Sequence, residues 1–375
     1  MSILPNFIPF LRPNLVNVEK YINLLQEIDQ TNIYSNYGPI NTKFEQVILS
    51  DYFHNRGSVT TVNNATSGLI LAISESKRKN ARYAIMPSFT FAATPLAAIW
   101  SGLTPYFLEV SPGSWSLDEK LVENALQELG DEVAVVVPYA TFGSAIDLTY
   151  YNSLQERGIP VVVDAAASFG TNHINGQFGI DFSGSIVFSF HATKAFPVGE
   201  GGLVYSSNTE LVRKIRMAGN FGFDENRSSI SLGLNSKMTE YTAAIGIATL
   251  EHFSEKVKIR QEIYKWYKQL AEGKLLSKGW GLQETQGSIA HQFMPMLCPK
   301  ELRNNDIVQY LLEKGIQART YFSPACHQQE LFISCPKGDL SFSEDIASRI
   351  ISLPLWEGMK YSDVEYIIES LNKVE

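Results

Sequence analysis

The chain has 375 residues, of which 45% are hydrophobic and 19% are charged, and its formal net charge is −8. This composition predicts a globular protein with a large core, and the length favours two domains or one large domain with a smaller lobe. The negative charge argues against nucleic acid as a ligand, because affinity for nucleic acid comes mostly from cations that neutralise phosphates.

The three cysteines, Cys298, Cys326 and Cys335, have spacings that match no zinc or disulfide framework. We therefore expect no metal, and a reducing cytoplasm fits this usage best. The N-terminal residues lack the basic segment and the cleavage site of a signal peptide, and no apolar run approaches the ~18 residues of a membrane helix. These features predict a soluble protein without a membrane partner.

The first informative segment lies at a predicted junction between a strand and a helix. Residues 63–69 follow the apolar run 59–62 and precede an apolar helical pattern. Small residues at such a junction leave the first N–H groups of the helix free to bind a phosphate. One interpretation is a phosphate cup built from the amides of Ala65 and Thr66 and the Thr66 hydroxyl. The alternative is an ordinary helix N-cap.

Short apolar runs rich in Val and Ile recur up to residue 205. In chain order they occupy residues 84–87, 133–138, 159–163, 185–189 and 202–205. Continuous apolar runs, as opposed to alternating ones, are typical of strands that are covered on both faces. The pattern therefore predicts an α/β fold with a mostly parallel central sheet.

Helical spacing separates these runs and then dominates the rest of the chain. Residues 117–126 have the i, i+4 apolar spacing of a helix that lies on a sheet. A longer helical pattern extends from Tyr241 to about Leu270. We predict a large domain of residues 1–254 and a smaller C-terminal α+β domain of residues 255–375, with the boundary inside that helix.

Two residues carry the candidate chemistry. Asp164 follows three valines at the carboxyl end of a predicted strand, where open α/β sheets bind ligands. An N-cap is the alternative role for this acid. Lys194 precedes a glycine-rich turn and is either a surface lysine or a desolvated amine nucleophile. If both line one pocket, they suit pyridoxal phosphate, which needs a lysine for its aldehyde and an anion at its pyridinium nitrogen.

These positions belong to a longer series of motifs, at residues 64–69, 87–94, 164–166, 189–194, 199–202, 234–240 and 353–355. Together the motifs resemble the DegT/DnrJ/StrS family of pyridoxal-phosphate-dependent sugar-nucleotide aminotransferases. The resemblance spans nearly the whole chain in the expected order. It implies the fold type I architecture, in which helices flank a mostly parallel sheet.

By position, the resemblance implies that Lys194 holds the cofactor as a Schiff base and that Asp164 pairs with the pyridine nitrogen. It also implies that Phe91 stacks on the ring. Many members carry Gln or His three residues after the aspartate, where this chain has Ala167. That contact must therefore be lost or be supplied by another residue.

The resemblance also implies which residues bind the phosphate of the cofactor. Ala65, Thr66 and Ser189 match the phosphate contacts within one subunit. Asn235 matches an asparagine that reaches the phosphate from the other subunit. An active homodimer with shared active sites is therefore implied.

The implied reaction moves an amino group from L-glutamate to a keto sugar nucleotide, for O-antigen or other surface glycan synthesis. Relatives with histidine in place of the lysine are dehydratases, so Lys194 argues for amino transfer. Residues 188–194 are most similar to enzymes that make dTDP-4-amino-4,6-dideoxyglucose, which predicts C4 of dTDP-4-keto-6-deoxy-D-glucose as the acceptor. The alternatives are C3 amination of a 3-keto sugar nucleotide and a cofactor-binding regulatory protein without turnover.

Candidate substrate contacts come from three parts of the chain. Tyr37 lies in a segment that resembles the family's N-terminal substrate loop. His191 could contact cofactor or substrate, or could be a packed histidine. Arg319, Tyr321 and His327 lie in a segment that often lines the sugar and diphosphate side. For Arg319 and His327, surface or structural roles remain open.

Overall fold

The computed structural model describes residues 7–174 and 176–374. The helices are α1 (Ile22–Thr31), α2 (Pro39–Phe53), α3 (Ala65–Ser76), α4 (Ala93–Trp100), α5 (Glu119–Leu129), α6 (Thr149–Glu156), α7 (Thr209–Ala218), α8 (Glu240–Lys274), α9 (Asn304–Glu313), α10 (Ser341–Arg349) and α11 (Tyr361–Asn372). The strands are β1 (Ser58–Val62), β2 (Tyr83–Pro87), β3 (Thr104–Leu108), β4 (Val133–Val136), β5 (Val162–Asp164), β6 (Asn172–His173), β7 (Gly176–Gln177), β8 (Ser185–Ser189), β9 (Gly202–Ser206), β10 (Gly281–Leu282), β11 (Met294–Leu297) and β12 (Ile350–Leu353).

The central sheet is mostly parallel, as the apolar runs predict. Strands β3, β2 and β4 are parallel neighbours, and β5 pairs in parallel with β8. Parallel bridges at Val136–Val161 and Tyr139–Asp164 join the two groups beside β4 and β5. Strand β9 is antiparallel to both β8 and β1, so the order is β3-β2-β4-β5-β8-β9-β1. Strands β4, β5, β8 and β9 are buried along their whole length, which explains their continuous apolar sequence.

Local sequence determines where the helices begin. The Asp118 carboxylate accepts hydrogen bonds from the amides of Lys120 and Leu121, at 2.9 and 3.2 Å, so α5 begins at Glu119. Thr239 caps α8 in the same way through the amide of Thr242. The predicted long helix is confirmed and is slightly longer than the expected range.

The core divides along α8. The side chain of Phe253 belongs to the large cluster beside the central sheet, whereas Ile263 begins a second cluster with β11, β12 and α11. The small antiparallel sheet β10-β11-β12 lies in this second part. A division of the chain near residue 255 stays a prediction. Residues 1–6, 175 and 375 of the two predicted domains lie outside the described residues.

The first described residues pack with the C-terminal part, which a contiguous unit of residues 1–254 does not anticipate. Ile8 lies in the second core cluster, and its amide donates to the carbonyl of Gly315 at 2.8 Å. In chain order, the described residues therefore pack first in the smaller, C-terminal core cluster and then in the large cluster beside the central sheet.

In the described ranges, no helix combines the length and the apolar character that crossing a bilayer requires.

Candidate active site

A cavity of about 660 Å³ lies at the carboxyl ends of β5 and β8. Its wall contains Lys194 and Asp164, which come from different segments of the chain. The residues 292, 293, 321 and 322 add a wall from the C-terminal part. Of the residues predicted for the site, the cavity is lined by Ala65, Thr66, Phe91, Asp164, Ser189, His191, Lys194 and Tyr321.

Asp164 ends β5 as a buried carboxyl group that is 2% exposed. Thr94, on α4, donates its hydroxyl to Oδ2 at 2.6 Å, and the amide of Ala166 donates to Oδ1 at 3.1 Å. Burial raises the pKa of Asp164, and these two donors and the nearby Lys194 oppose that effect. The carboxylate is therefore held in one orientation, and a cationic ligand would stabilise its charge.

Lys194 lies in a loop that a glycine turn folds back on itself. Gly199 adopts a φ of 100°, which glycine tolerates, and its carbonyl accepts the amide of Ala192 at 2.7 Å. Burial lowers the pKa of Lys194 to about 8, and the charge of Asp164 acts in the opposite direction. An appreciable fraction of the amine is thus uncharged and nucleophilic near neutral pH.

The N-terminus of α3 forms another part of the wall. Asn64 caps the helix by accepting the amide of Ser67 at 2.9 Å, which confirms the N-cap interpretation, whereas the phosphate cup stays a prediction. Ala65 and Thr66 are the first two helical residues, whose amides have no carbonyl within the helix to bind. Because the positive end of the helix dipole adds to them, this end suits a phosphate.

A glycine makes room for that helix end. A Cβ atom at Gly202, on β9, would lie 3.0 Å from the amide nitrogen of Ala65 and 2.9 Å from the carbonyl oxygen of Phe188. The glycine thus lets the helix start directly over the strand. Ser189 is the last residue of the neighbouring strand β8, and the residue is 8% exposed.

Aromatic side chains surround the mouth of the cavity. Phe91 is 56% exposed, and its ring centroid lies 5.9 Å from that of Phe322. Phe322 also lies 5.9 Å from Tyr139 and 5.8 Å from Tyr321. Such a set can cover a flat ring, and Phe91 is exposed at the mouth of the cavity.

His191 has neighbours on both sides. Its Nδ1 lies 2.8 Å from the Thr193 hydroxyl, and its Nε2 lies 3.6 Å from a carboxylate oxygen of Glu200. Because the imidazole lines the cavity and is partly exposed, it can still meet a ligand.

Two predicted residues are outside this cavity. Asn235 is exposed, and it does not line this cavity. Tyr37 packs under Arg216, whose guanidinium carbon lies 3.6 Å from the ring centroid, and its hydroxyl donates to the Arg216 carbonyl at 3.2 Å. Burial raises the pKa of Tyr37 to about 12. Within one subunit, Tyr37 supports the fold and does not reach the cavity.

Arg319 and His327 are also apart from the cavity. Arg319 is exposed, and its amide pairs with the carbonyl of Ser352 at 3.1 Å. His327 is 2% exposed, with Nδ1 2.5 Å from the Ser88 hydroxyl and Nε2 2.9 Å from a Glu344 carboxylate oxygen. Since both ring nitrogens are engaged, the structural role replaces the substrate contact expected for His327.

The structure adds residues that the motifs do not single out. Gln292 accepts a hydrogen bond from Lys194, and Thr94 holds Asp164. Tyr139 and Phe322 complete the aromatic wall. Thr94 is the last residue of the motif 87–94, so its place in the sequence is a weak indication that it belongs to the site. Gln292 is part of no motif, and nothing in the sequence singled it out.

The chain matches a known protein family over most of its length. The model of the DegT/DnrJ/EryC1/StrS aminotransferase family matches residues 16–372. The chain belongs to this family. The predicted family is thus confirmed, and with it the class of enzyme, an aminotransferase of a family that uses pyridoxal phosphate.

Three similar proteins show how closely this chain matches members with a known structure or a named reaction. The crystal structure of a candidate PLP-dependent aminotransferase from Bacillus cereus ATCC 10987 is 53% identical, with a TM-score of 0.96 over 98% of this chain and 100% of that chain. This likeness confirms the fold type I architecture. A dTDP-4-amino-4,6-dideoxy-D-glucose transaminase from Shigella dysenteriae is 26% identical over 97% of this chain and 98% of that protein. A UDP-N-acetyl-3-dehydro-alpha-D-glucosamine 3-aminotransferase from Acidithiobacillus ferrooxidans is 28% identical over 81% and 80%.

The cavity of this aminotransferase fits pyridoxal phosphate. It combines an amine of lowered pKa, a buried carboxylate whose hydrogen-bond donors are neutral, a helix N-terminus and an exposed aromatic side chain. Each of these groups matches one part of the cofactor: aldehyde, ring nitrogen, phosphate and ring face.

Proposed function

We propose that this enzyme transfers the amino group of L-glutamate to C4 of dTDP-4-keto-6-deoxy-D-glucose, with pyridoxal phosphate as its cofactor. The observation that carries the proposal is the meeting of Lys194 and Asp164 in one cavity beside the N-terminus of α3. Surface glycan synthesis, including O-antigen, is the proposed use of the product. We propose a cytoplasmic location, which suits the three free cysteines.

The cofactor has several proposed contacts. The amides of Ala65 and Thr66 and the hydroxyl of Ser189 would hold the phosphate, and Phe91 would cover the ring. Asp164 would keep the ring nitrogen protonated. When bound, pyridoxal phosphate supplies an electron-withdrawing ring that stabilises negative charge at the carbon next to the transferred nitrogen.

Lys194 has two proposed tasks. Its amine would hold the aldehyde between turnovers. After the amino donor displaces it, the amine would take the proton from the donor's α-carbon and deliver it to the aldehyde carbon of the cofactor. Water would then release 2-oxoglutarate while the nitrogen stays with the cofactor as an amine. The keto sugar would take up that nitrogen with loss of water, by the same steps in reverse. An amine whose pKa is about 8 is suited to this work near neutral pH.

His191 and Tyr321 are the proposed sugar-nucleotide contacts within the subunit, because both line the cavity. Tyr37 and Arg319 stay candidates only for a second subunit's site, since neither lines the cavity of its own subunit.

The C4 position has one rival. The Shigella relative acts at C4 by its name, and the Acidithiobacillus relative acts at C3, at nearly the same identity. The C4 match covers more of this chain, and the sequence around Lys194 favours it. Amination at C3 is the second candidate. A regulatory protein without turnover is disfavoured, because such a protein has no need of a nucleophilic amine.

The sugar assignment can be tested directly. We would load the protein with pyridoxamine phosphate and add dTDP- and UDP-linked 3-keto and 4-keto sugars, recording by absorbance which sugar restores the aldehyde form. A response to the dTDP-linked 4-keto sugar is expected. A response to 3-keto sugars alone would move the reaction to C3, and no response to any sugar would count against the sugar assignment.

A borohydride test separates the cofactor from the sugar. Reduction of the yellow protein should attach the cofactor to Lys194, as mapped by mass spectrometry, and Lys194→Ala should abolish the label. Lys256→Met is the matched control, because Lys256 borders the small cavity behind Lys194 and should leave labelling unchanged. A label elsewhere would refute the role of Lys194.

We also propose an active homodimer in which Asn235 completes the partner's phosphate site. Asn235 is exposed, and large apolar side chains near it in sequence are exposed too, with Leu232 at 88% and Ile230 at 62%. Such apolar exposure favours coverage by another protein surface.

Subunit mixing tests the shared site. Lys194→Ala and Asn235→Ala proteins should each be inactive, whereas refolding an equal mixture should recover about a quarter of normal activity, because hybrids hold one intact site. A mixture of Lys194→Ala with Asp164→Asn is the control. Both of those residues serve the same subunit's site, so no activity should return. Recovery in both mixtures, or in neither, would contradict the proposed sharing.

A further inference from the structure

The free amine of Lys194 has an acceptor in the C-terminal part of the chain. Its Nζ donates to Oε1 of Gln292 at 3.1 Å. The other end of the same amide donates from Nε2 to the Thr193 hydroxyl at 3.4 Å. Gln292 is 6% exposed and lines the cavity. The amide therefore bridges the nucleophile and its sequence neighbour.

A buried ion pair holds Gln292 in place. Arg260, on α8, donates from Nη1 to the carbonyl oxygens of His291 and Gln292, at 2.8 and 3.4 Å. Its guanidinium also forms a two-point pair with Glu357, at 2.8 and 3.2 Å. Such a pair has defined geometry, so the amide is presented from a rigid support.

The type of acceptor matters for the chemistry. A carboxylate at this place would favour the ammonium form of Lys194, and an apolar side chain would leave a polar group without a partner. A neutral amide oxygen accepts a hydrogen bond and adds no charge. It can thus orient an amine that has to give and take a proton.

We propose that Gln292 is a further catalytic residue, whose carbonyl oxygen receives the amine of Lys194 each time that amine is released and orients it for proton transfer. The inference rests on the proposed function of Lys194. Arg260 and Glu357 are positioning residues in this arrangement, because they act through Gln292.

Other titratable groups also face this region. Inside the cavity they are Asp164, Tyr139, His191, Glu200 and Tyr321, and behind the lysine they are Arg12, Lys256, Arg260 and Glu357. Arg260 and Glu357 neutralise each other, and Asp164 favours the charged amine. A substitution at Gln292 leaves all these groups in place. A shift in the titration of Lys194 can therefore be attributed to the change in the Gln292 side chain.

The experiment measures the protonation of Lys194 in the cofactor-free protein. Competitive acylation at a series of pH values, followed on the Lys194 peptide by mass spectrometry, yields the midpoint. Gln292→Glu should raise this midpoint by about one to three pH units, because a carboxylate then contacts the amine. Gln292→Met, of similar size, should lower the midpoint. Both forms of Lys194 lose the hydrogen bond to the amide oxygen, and that bond stabilises the ammonium form more than the free amine.

Gln283→Met is the matched control. Gln283 is 7% exposed, and its amide donates to the carbonyls of Ser114 and Thr141, at 2.8 and 3.2 Å. The loss of this buried amide should leave the Lys194 midpoint unchanged. In the loaded enzyme, Gln292→Met should slow the half-reaction with the amino donor roughly tenfold, with the cofactor still bound.

The outcomes separate the two proposals. Midpoints that are the same in all Gln292 variants and the wild type would overturn the role of Gln292, as would shifted midpoints with an unchanged half-reaction rate. The acylation experiment on Lys194 uses neither the amino donor nor the sugar nucleotide. A failed sugar panel with shifted midpoints would therefore count against the substrate and leave the Gln292–Lys194 contact supported.

Discussion

The hydrogen bond from Thr94 to Asp164 offers a sharp test of the site. Thr94 is fully buried, and its hydroxyl lies 2.6 Å from Oδ2 of Asp164. Thr94→Val removes this donor with little change in volume. A hydrogen bond to a charged group contributes about 1.5–3 kcal/mol. At 1.36 kcal/mol per pKa unit, its loss should raise the pKa of Asp164 by about one to two units.

The predicted consequence is weaker cofactor binding. Burial already raises the pKa of Asp164, and Thr94 opposes that effect, so the variant should present a carboxyl group that ionises less readily. Because the pyridinium needs the ionised form, affinity for pyridoxal phosphate should fall roughly tenfold to a hundredfold at pH values low enough to protonate the carboxyl group in both proteins, and by less at higher pH. Spectrophotometric titration of the cofactor-free protein measures this constant.

Thr90→Val is the matched control for this measurement. Thr90 is also buried, and its hydroxyl lies 2.9 Å from that of Thr94, one hydrogen bond further from the carboxylate. The control should lose less than about threefold in affinity, because Asp164 keeps its own donors. Equal affinities for Thr94→Val and wild type, or equal losses in the two valine variants, would refute the reasoning.

Three further outcomes are expected. Gly202→Ala should lower the free energy of unfolding by about 1–3 kcal/mol and weaken cofactor binding, because its Cβ would meet backbone atoms at 2.9 and 3.0 Å. Gly273→Ala, in open space on α8, should instead stabilise by about 0.5–1 kcal/mol in chemical denaturation. His327→Leu should lower the free energy of unfolding by about 1–3 kcal/mol with the KM for the sugar nucleotide unchanged, and a raised KM at full stability would restore a substrate role. The cofactor-free protein should gain stability relative to Lys194→Met as the pH rises from about 8 to 10.5, since the unfolded lysine still binds the proton that the folded one releases in this range. Parallel stability curves for those two proteins would contradict the lowered pKa of Lys194.

Much of the architecture follows from local sequence. Runs of buried Val and Ile specify strands β4, β5 and β8, because a strand covered on both faces has no polar side. The spacing of apolar residues predicts α8, and Asp118 marks the beginning of α5. Lys194 and Asp164 could be singled out because each interrupts or follows an apolar pattern with a charge whose burial has to be compensated.

Tertiary structure decided which side chains meet. Gln292 and Lys194 are 98 residues apart in the chain, and Thr94 and Asp164 are 70 apart. His327 is 239 residues from Ser88, whose hydroxyl engages it. No local pattern encodes such pairs, because a polar side chain has the same sequence context whether it faces the cavity or a buried neighbour. The amino-acid sequence thus determined the strands, the helices and the two charged residues, whereas tertiary packing determined the partner of each: α4 brings Thr94 to Asp164, and the C-terminal part brings Gln292 to Lys194.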